Sequence, residues 1–223
     1  MRASARPKIK ICCIASVDEA RLAIKHGASA LGLVSRMPSG PGVISEELIA
    51  EIAAAVPMHV ATFLLTSDTE ADAIIAQQRR TRVTTLQLVD RLPHGTHRAL
   101  RDALPGIALV QVVHVRGPES VVEAAAIAPH VDAILLDSGN PELSVKELGG
   151  TGRVHDWQLS RQIRERIDRP LFLAGGLRPD NVGEAIRRIG PYAVDLCTGV
   201  RTEGNLDETK LAAFVQAVEM ASL

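Results

Sequence analysis

Short runs rich in Val, Ile and Leu alternate along the chain with longer segments in which apolar residues recur every three or four positions. The short runs predict buried strands, and the longer segments predict amphipathic helices. Eight strands are predicted, at Lys8–Ile14, Ala30–Val34, His59–Leu65, Thr84–Val89, Ala108–Val115, Ala133–Asp137, Pro170–Gly175 and Ala193–Thr198.

Most of the intervening helical segments begin at Ser, Asp or Pro, and several end near Gly, as helices commonly do. Pro93 and Gly95 interrupt the start of the fourth segment. The predicted helices are Val17–His26, Ser45–Val56, Asp68–Gln78, Leu92–Leu104, Pro118–Ala128, Asp156–Ile167, Pro179–Ile189 and Asp207–Met220.

Strands that are apolar on both faces predict an α/β protein with a parallel sheet covered by helices. Eight β–α units within 223 residues favour a single-domain (β/α)8 TIM barrel over residues 1–223. The alternative is an open doubly wound sheet. Its dinucleotide-binding pattern Gly-x-Gly-x-x-Gly is absent after the first strand, where the chain reads Cys12-Cys13-Ile14-Ala15.

Composition narrows the class of partner. The 25 basic and 26 acidic side chains nearly cancel, which predicts neither a nucleic-acid groove nor attraction to an anionic membrane. No signal peptide or long apolar span is visible, so we expect a cytoplasmic protein with a small-molecule partner. The three cysteines show no disulfide framework and no zinc-binding spacing, and they predict reduced thiols, no metal and no redox role.

Two proton-transfer groups lie at predicted strand ends. Cys12 is near the end of the first strand and Asp137 ends the sixth. Active sites of such barrels form at the C-terminal ends of the strands. Strand alternation places Lys10 and Cys12 on one face and Cys13 on the other, so Cys12 is predicted to face the barrel mouth. Alone, Cys12 reads equally well as a small buried hydrophobe and Asp137 as a helix cap, but together they predict acid–base catalysis.

Glycine-rich segments follow the last three strands. They are Gly149-Gly150-Thr151-Gly152, Ala174-Gly175-Gly176 and Cys197-Thr198-Gly199. Barrel enzymes frequently bind phosphate at this position through backbone N–H groups, which glycine leaves accessible. Tight turns alone would also explain the glycines, but three such segments at one corner favour a phosphate site.

In these motifs the chain resembles the phosphoribosylanthranilate isomerase family of tryptophan biosynthesis over nearly its whole length. The resemblance rests on Lys10-Ile11-Cys12, Gly27-Ala28, Leu31-Gly32-Leu33-Val34, Gln87-Leu88 and Leu135-Leu136-Asp137. The most specific stretch comprises Gly149-Gly150-Thr151-Gly152, Asp156-Trp157, Leu173-Ala174-Gly175-Gly176-Leu177, Pro179, Asn181-Val182, Val194-Asp195 and Gly199-Val200.

The resemblance implies a cofactor-independent Amadori rearrangement of N-(5-phosphoribosyl)anthranilate. Asp137 would be the general acid that opens the sugar ring, and Cys12 would be the general base that takes the proton from C2. The residues expected to bind the substrate or its phosphate are Lys10, Gln87, Gly150, Gly152, Gly175, Gly176, Thr198 and Gly199.

The chain departs from the family pattern at three positions. Cys13 stands where the family usually has Gly, Val89 stands at a His position, and Gly42 stands where an Arg would bind the anthranilate carboxylate. Loss of such a charge-assisted contact would cost about 2–5 kcal/mol of binding. Arg36, on the same loop, is the candidate to contact the carboxylate instead.

His94 or His97 is the corresponding candidate to replace the missing histidine. For these two and for Arg36, the favoured interpretation is a solvated surface group.

Three functions stay open at this point. The first is the isomerase itself, the second is a diverged paralogue acting on another phosphorylated sugar, and the third is a non-catalytic phosphate-ligand-binding barrel. The presence of both Cys12 and Asp137 favours an enzyme. We expect a small phosphorylated substrate, no nucleic acid or membrane partner, and a monomer or homodimer.

Overall fold

A closed parallel barrel forms the centre of the molecule. The computed structural model describes residues 6–221, so residues 1–5 and 222–223 of the predicted domain lie outside the described residues. The barrel strands pair in chain order, and the first pairs with the last. They are β1 (Lys8–Ile11), β2 (Ala30–Val34), β3 (Ala61–Thr66), β4 (Thr85–Leu88), β5 (Ala108–His114), β6 (Ala133–Asp137), β7 (Leu171–Leu173) and β8 (Ala193–Leu196).

Helices surround the barrel and alternate with its strands, which confirms the predicted (β/α)8 architecture. A short antiparallel hairpin, β9 (Arg201–Thr202) and β10 (Asn205–Leu206), precedes the last helix. The helices are α1 (Val17–Lys25), α2 (Glu46–Ala55), α3 (Ala71–Thr81), α4 (Thr96–Ala103), α5 (Glu119–Ile127), α6 (Trp157–Arg166), α7 (Val182–Ile189) and α8 (Glu208–Met220).

Side-chain caps fix several helix starts. The side chains of Ser16, Ser45, Asp156 and Asp207 each accept a backbone N–H of the first turn that the helix itself leaves unpaired. The predicted fourth helix is shorter than expected, because it begins only after Gly95, which has a positive φ of 90°. These local signals set where each loop at the barrel mouth ends.

The core has two layers that follow from strand alternation. Outward-facing residues such as Ile9 and Ile11 pack against the helices. Inward-facing residues such as Phe63, Leu135 and Phe172 fill the barrel. Among residues 6–221, no helix is both long and apolar enough to cross a membrane.

Candidate active site

A cleft opens at the C-terminal ends of the strands, as predicted. Its empty volume, which includes open solvent, is about 720 Å³. Cys12, Asp137 and Gln87 line it together with the three glycine-rich segments. The predicted phosphate-binding residues that line it are Gly150, Gly152, Gly175, Gly176, Thr198 and Gly199.

Cys12 directly follows β1 and is almost fully buried inside the barrel mouth. Burial raises the pKa of its thiol to about 11, and the charge of Lys10 acts in the opposite direction. Gly32 on β2 makes room for the Cys12 thiol and the Lys10 ammonium group. A Cβ on residue 32 would lie 2.7 Å from Cys12 Sγ and 3.0 Å from Lys10 Nζ. The thiol is therefore held in a tight pocket with a cation as its neighbour.

Lys10 lies inside the barrel, fully buried, and donates to Asp195 Oδ2 of β8 at 2.8 Å. Burial by itself would lower the pKa of Lys10, but the charges of Asp195 and Cys12 outweigh it and the net shift is upward. The ammonium group therefore persists beside the thiol. Lys10 is not among the residues that line the cleft, and its predicted role in substrate binding stays a prediction.

Asp195 is a site residue that our sequence reasoning did not select. It lines the cleft, and its Oδ1 is buried without a hydrogen-bond partner among the described residues. Burial raises its pKa, while the charge of Lys10 opposes the shift. An Asp at the centre of the apolar run Ala193–Leu196 was the available signal, since a carboxylate is rarely buried without a partner.

Asp137 ends β6 and is also nearly buried. Its Oδ1 accepts the backbone N–H of Ser138 at 2.7 Å. A Cβ on Gly149 would lie 3.0 Å from Oδ2, so glycine lets the following loop pass closely over the carboxyl group. The charge of Asp137 contributes to the raised pKa of Cys12, which shows that the two groups lie within electrostatic reach of each other.

The glycines after β7 and β8 allow close backbone packing. A Cβ on Gly176, whose φ is 62°, would lie 2.7 Å from the carbonyl carbon of Arg153. A Cβ on Gly199 would lie 2.3 Å from the carbonyl oxygen of Leu177. No Lys or Arg is among the residues that line the cleft, so an anion bound at this corner would rely on backbone N–H groups.

Cys13 and Cys197 form a disulfide, with Cα atoms 5.8 Å apart. Our prediction of reduced thiols was therefore wrong for this pair, and Cys12 alone is free. Cys13 has a positive φ of 61°, which breaks the alternation beyond Ile11 and turns its side chain into the cleft beside Cys12. The predicted first strand ends three residues early for the same reason.

Two departures from the family pattern meet in space. Gly42 has a φ of 81°, and a Cβ there would lie 2.5 Å from Cys13 Cβ and 3.1 Å from Cys13 Sγ. A side chain at residue 13 and a side chain at residue 42 thus compete for one space. In this chain, Cys13 fills the space that a side chain at residue 42 would need.

The predicted replacements for the missing contacts lie away from the cleft wall. Arg36 is exposed and does not line the cleft, and its carbonyl accepts the Ser67 hydroxyl at 3.0 Å. His94 is exposed, and His97 on α4 contacts Gln111 at 3.0 Å. The role of Arg36 stays a prediction.

His114 on β5 is the histidine that contacts residue 89. Its Nε2 lies 3.0 Å from the Val89 carbonyl oxygen, and its Nδ1 is buried without a partner among the described residues. His114 does not line the cleft. It therefore occupies the neighbourhood of the expected histidine without reaching into the site.

A metal site does not emerge from residues 6–221, where no three His, Cys, Asp or Glu side chains are grouped to hold an ion. The expectation of a reaction without cofactor stays a prediction. The chemistry that the described groups can perform is proton transfer to and from a bound molecule by a carboxyl and a thiol that line the same cleft.

Comparison with known proteins gives one consistent result. The family model of N-(5'phosphoribosyl)anthranilate (PRA) isomerase matches residues 9–217. The chain is 37% identical over 210 residues to N-(5'-phosphoribosyl)anthranilate isomerase 2 of Methanosarcina mazei, covering 93% of this chain and 92% of that protein.

Solved structures agree with this result. Phosphoribosyl anthranilate isomerase from Thermotoga maritima superposes with a TM-score of 0.82 at 28% identity, covering 96% of this chain and 99% of that one. A phosphoribosyl anthranilate isomerase in complex with reduced 1-(o-carboxyphenylamino)-1-deoxyribulose 5-phosphate superposes with a TM-score of 0.80 at 26% identity. It covers 96% of this chain and 99% of that one.

Proposed function

Because the chain belongs to the N-(5'-phosphoribosyl)anthranilate isomerase family, its reaction is the isomerisation of tryptophan biosynthesis, and we propose that Cys12 and Asp137 perform the proton transfers. The observation that carries the assignment is their joint position. Both are buried at strand ends, both line one cleft, and the charge of Asp137 contributes to the raised pKa of Cys12. A binder that does not turn over its ligand has no need of this pair.

Asp137 acts first, as the general acid. It donates a proton to the ring oxygen of the phosphoribosyl group, the bond from that oxygen to C1 breaks, and the nitrogen lone pair forms a protonated Schiff base. The nearly buried position of the carboxyl group suits this role, because a donor shielded from water passes its proton to the substrate.

Cys12 acts second, as the general base. Its thiolate takes the proton from C2, and the electron pair moves to give an enolamine, which tautomerises to the ketone. No atom is gained or lost, so the reaction needs no co-reactant. The thiolate is disfavoured by burial, which raises the pKa to about 11, and a compensating cation is therefore needed beside it.

Lys10 supplies that cation and is a positioning residue. Asp195 holds its ammonium group at 2.8 Å, and Lys10 lowers the pKa of Cys12 against the effect of burial. The unpartnered Oδ1 of Asp195 and Oε1 of Gln87 are both buried, and both residues line the cleft. These two oxygens are suited to accept hydrogen bonds from the hydroxyl groups of the sugar.

The phosphate of the substrate binds at the glycine corner formed by the loops after β6, β7 and β8. The chemistry of this corner matches the anion, because glycine backbone can approach it without side chains in the way. The small phosphorylated molecule bound by the structural relative is a ligand of the same kind.

Turnover of N-(5'-phosphoribosyl)anthranilate, followed by loss of its fluorescence, tests the proposal. Cys12→Ala and Asp137→Ala are each expected to lower kcat by about 10²–10⁴-fold. Asp102→Ala is the matched control, because Asp102 lies exposed on α4. If the folded native chain shows no turnover, the activity is rejected. If either variant keeps native kcat, that residue's role is rejected.

A further inference from the structure

The disulfide between Cys13 and Cys197 joins the two loops that flank the base. Its Cα atoms lie 5.8 Å apart, within the usual range for such bonds. Cys13 directly follows Cys12, and Cys197 directly precedes Thr198 and Gly199 of the glycine corner. Both cysteines line the cleft. A covalent bond therefore connects the base to the segment that is proposed to bind phosphate.

The two loops are also held together without the sulfur atoms. Arg201, after β8, donates to the carbonyl oxygen of Cys13 and forms an ion pair with Glu19 of α1 at 2.9 Å. Glu19 further accepts the backbone N–H of Ala15 and of Leu206. These contacts keep the cysteines adjacent when the bond is broken, so the bond can form again.

The two sulfur atoms differ in access. Cys13 is buried, whereas Cys197 is partly exposed at the solvent-open cleft. Thiol–disulfide exchange requires an incoming thiolate to reach one sulfur of the bond. Cys197 is therefore the more accessible cysteine of the pair for a small thiol.

We propose that Cys13 and Cys197 form a reversible disulfide through which the thiol–disulfide balance of the surroundings sets the affinity of the cleft for phosphorylated ligands. This inference rests on the proposed phosphate corner. The oxidised bond fixes the start of the Thr198–Gly199 segment relative to Cys12 and so prepares the corner for the anion. After reduction the two loops stay joined through Arg201, but the Thr198–Gly199 segment loses its covalent anchor at Cys197, so that ligand binding must itself order this segment.

The exchange balances with a small-molecule disulfide as oxidant. One protein thiolate attacks the oxidant, a mixed disulfide forms on that cysteine, and one small thiol leaves. The second protein thiolate then attacks the mixed disulfide and releases the second small thiol. Two electrons and two protons pass from the two cysteines to the oxidant, and reduction follows the same steps in reverse.

A redox titration tests the bond itself. The protein is equilibrated in mixtures of reduced and oxidised glutathione, free thiols are alkylated, and the cysteines are identified by mass spectrometry. Cys13 and Cys197 are expected to be protected together in a two-electron transition, in the native chain and in Cys12→Ser. Cys13→Ser and Cys197→Ser are expected to lose the transition. A bond that does not form under oxidising mixtures, or that involves Cys12, overturns the proposal.

Calorimetric binding of inorganic phosphate tests the coupling without relying on turnover. The oxidised native chain is expected to bind phosphate about tenfold more tightly than the reduced chain, a difference of about 1.4 kcal/mol. Cys197→Ser is expected to bind like the reduced chain and to be insensitive to reductant. Equal affinity in both redox states overturns the coupling. Absence of phosphate binding in both states instead overturns the phosphate corner, and the titration still decides whether the bond is reversible.

Discussion

The side of the cleft that follows β6, β7 and β8 is built from glycine backbone, whereas the side that follows β2 and β4 is built from side chains. On the first side, added methyl groups at Gly176 or Gly199 would meet backbone atoms that cannot easily move. On the second, the side chains of Met37, Ser39 and Gln87 line the cleft. Outside the cleft wall, Ser39 donates to the Lys146 carbonyl oxygen, and Lys146 pairs with Asp90 just after β4.

The two sides differ in how much change they tolerate. On the backbone side, Gly176 and Gly199 tolerate little change, because an added Cβ at either residue would lie within 3 Å of backbone atoms. On the side-chain side, Cys13 fills the space beside Gly42, so a change at one of these residues affects the other. Cys12 lies between the two sides, and the reactivity of its thiol is the first property to test.

The reactivity of Cys12 should depend steeply on pH. Since burial raises its pKa to about 11, the thiolate fraction grows about tenfold per pH unit below that value. Alkylation of Cys12 by iodoacetamide, followed by mass spectrometry, should therefore accelerate about a thousandfold between pH 7 and 10. Lys10→Met removes the cation that lowers the pKa, so its rate should be lower at each pH. A rate that is already constant above pH 8 would contradict this account.

Gly176→Ala should damage the backbone side severely. The new Cβ would lie 2.7 Å from Arg153, so the loop must shift, and a shift near 1 Å costs about 100-fold in kcat/KM. Gly190→Ala is the matched control, because φ is 66° there against 62° at Gly176 and no atom lies within 4 Å. It should lose only about 1–2 kcal/mol of unfolding free energy from backbone strain. Equal kcat/KM losses in both variants would show that strain, rather than crowding, matters.

The sequence predicted the parts of this site that depend on neighbouring residues, but not the contacts between residues that are far apart along the chain. The barrel, Cys12, Asp137 and the glycine corner follow from local patterns, because strand ends and turn residues fix their positions. The Lys10–Asp195 pair and the Cys13–Cys197 bond join residues 185 and 184 positions apart. In each pair, the sequence around one residue does not indicate which distant residue is its partner. The turn of Cys13 into the cleft escaped prediction because a positive φ at a non-glycine residue is uncommon.

The shared space of residues 13 and 42 can be tested by moving the side chain from residue 13 to residue 42. Gly42→Arg alone places a Cβ 2.5 Å from Cys13 Cβ, and kcat/KM is expected to fall about tenfold, equivalent to about 1.4 kcal/mol. Adding Cys13→Gly removes the clash and should bring KM to or below its native value. All variants are assayed with reductant, so that loss of the disulfide does not enter the comparison. Additive effects of the two substitutions would show that the residues act independently.

The weakest expected effect concerns Arg36, the cation predicted to bind the anthranilate carboxylate. Because this side chain is exposed and outside the cleft wall, it can reach the substrate only by turning inward, and a solvated contact of this kind is worth about 1 kcal/mol. Arg36→Ala should raise KM about fivefold and leave kcat unchanged, as expected when binding is lost equally from ground and transition states.

Arg79→Ala on the exposed face of α3 is the control for a general loss of positive charge. Lys146→Ala, tested in parallel, asks whether the lysine paired with Asp90 performs the task instead. If Arg36→Ala has the same KM as Arg79→Ala while Lys146→Ala raises it, the carboxylate contact has passed from the loop after β2 to the loop after β6. The contact to the carboxylate would then come from the loop after a different strand, while Cys12 and Asp137 keep their places.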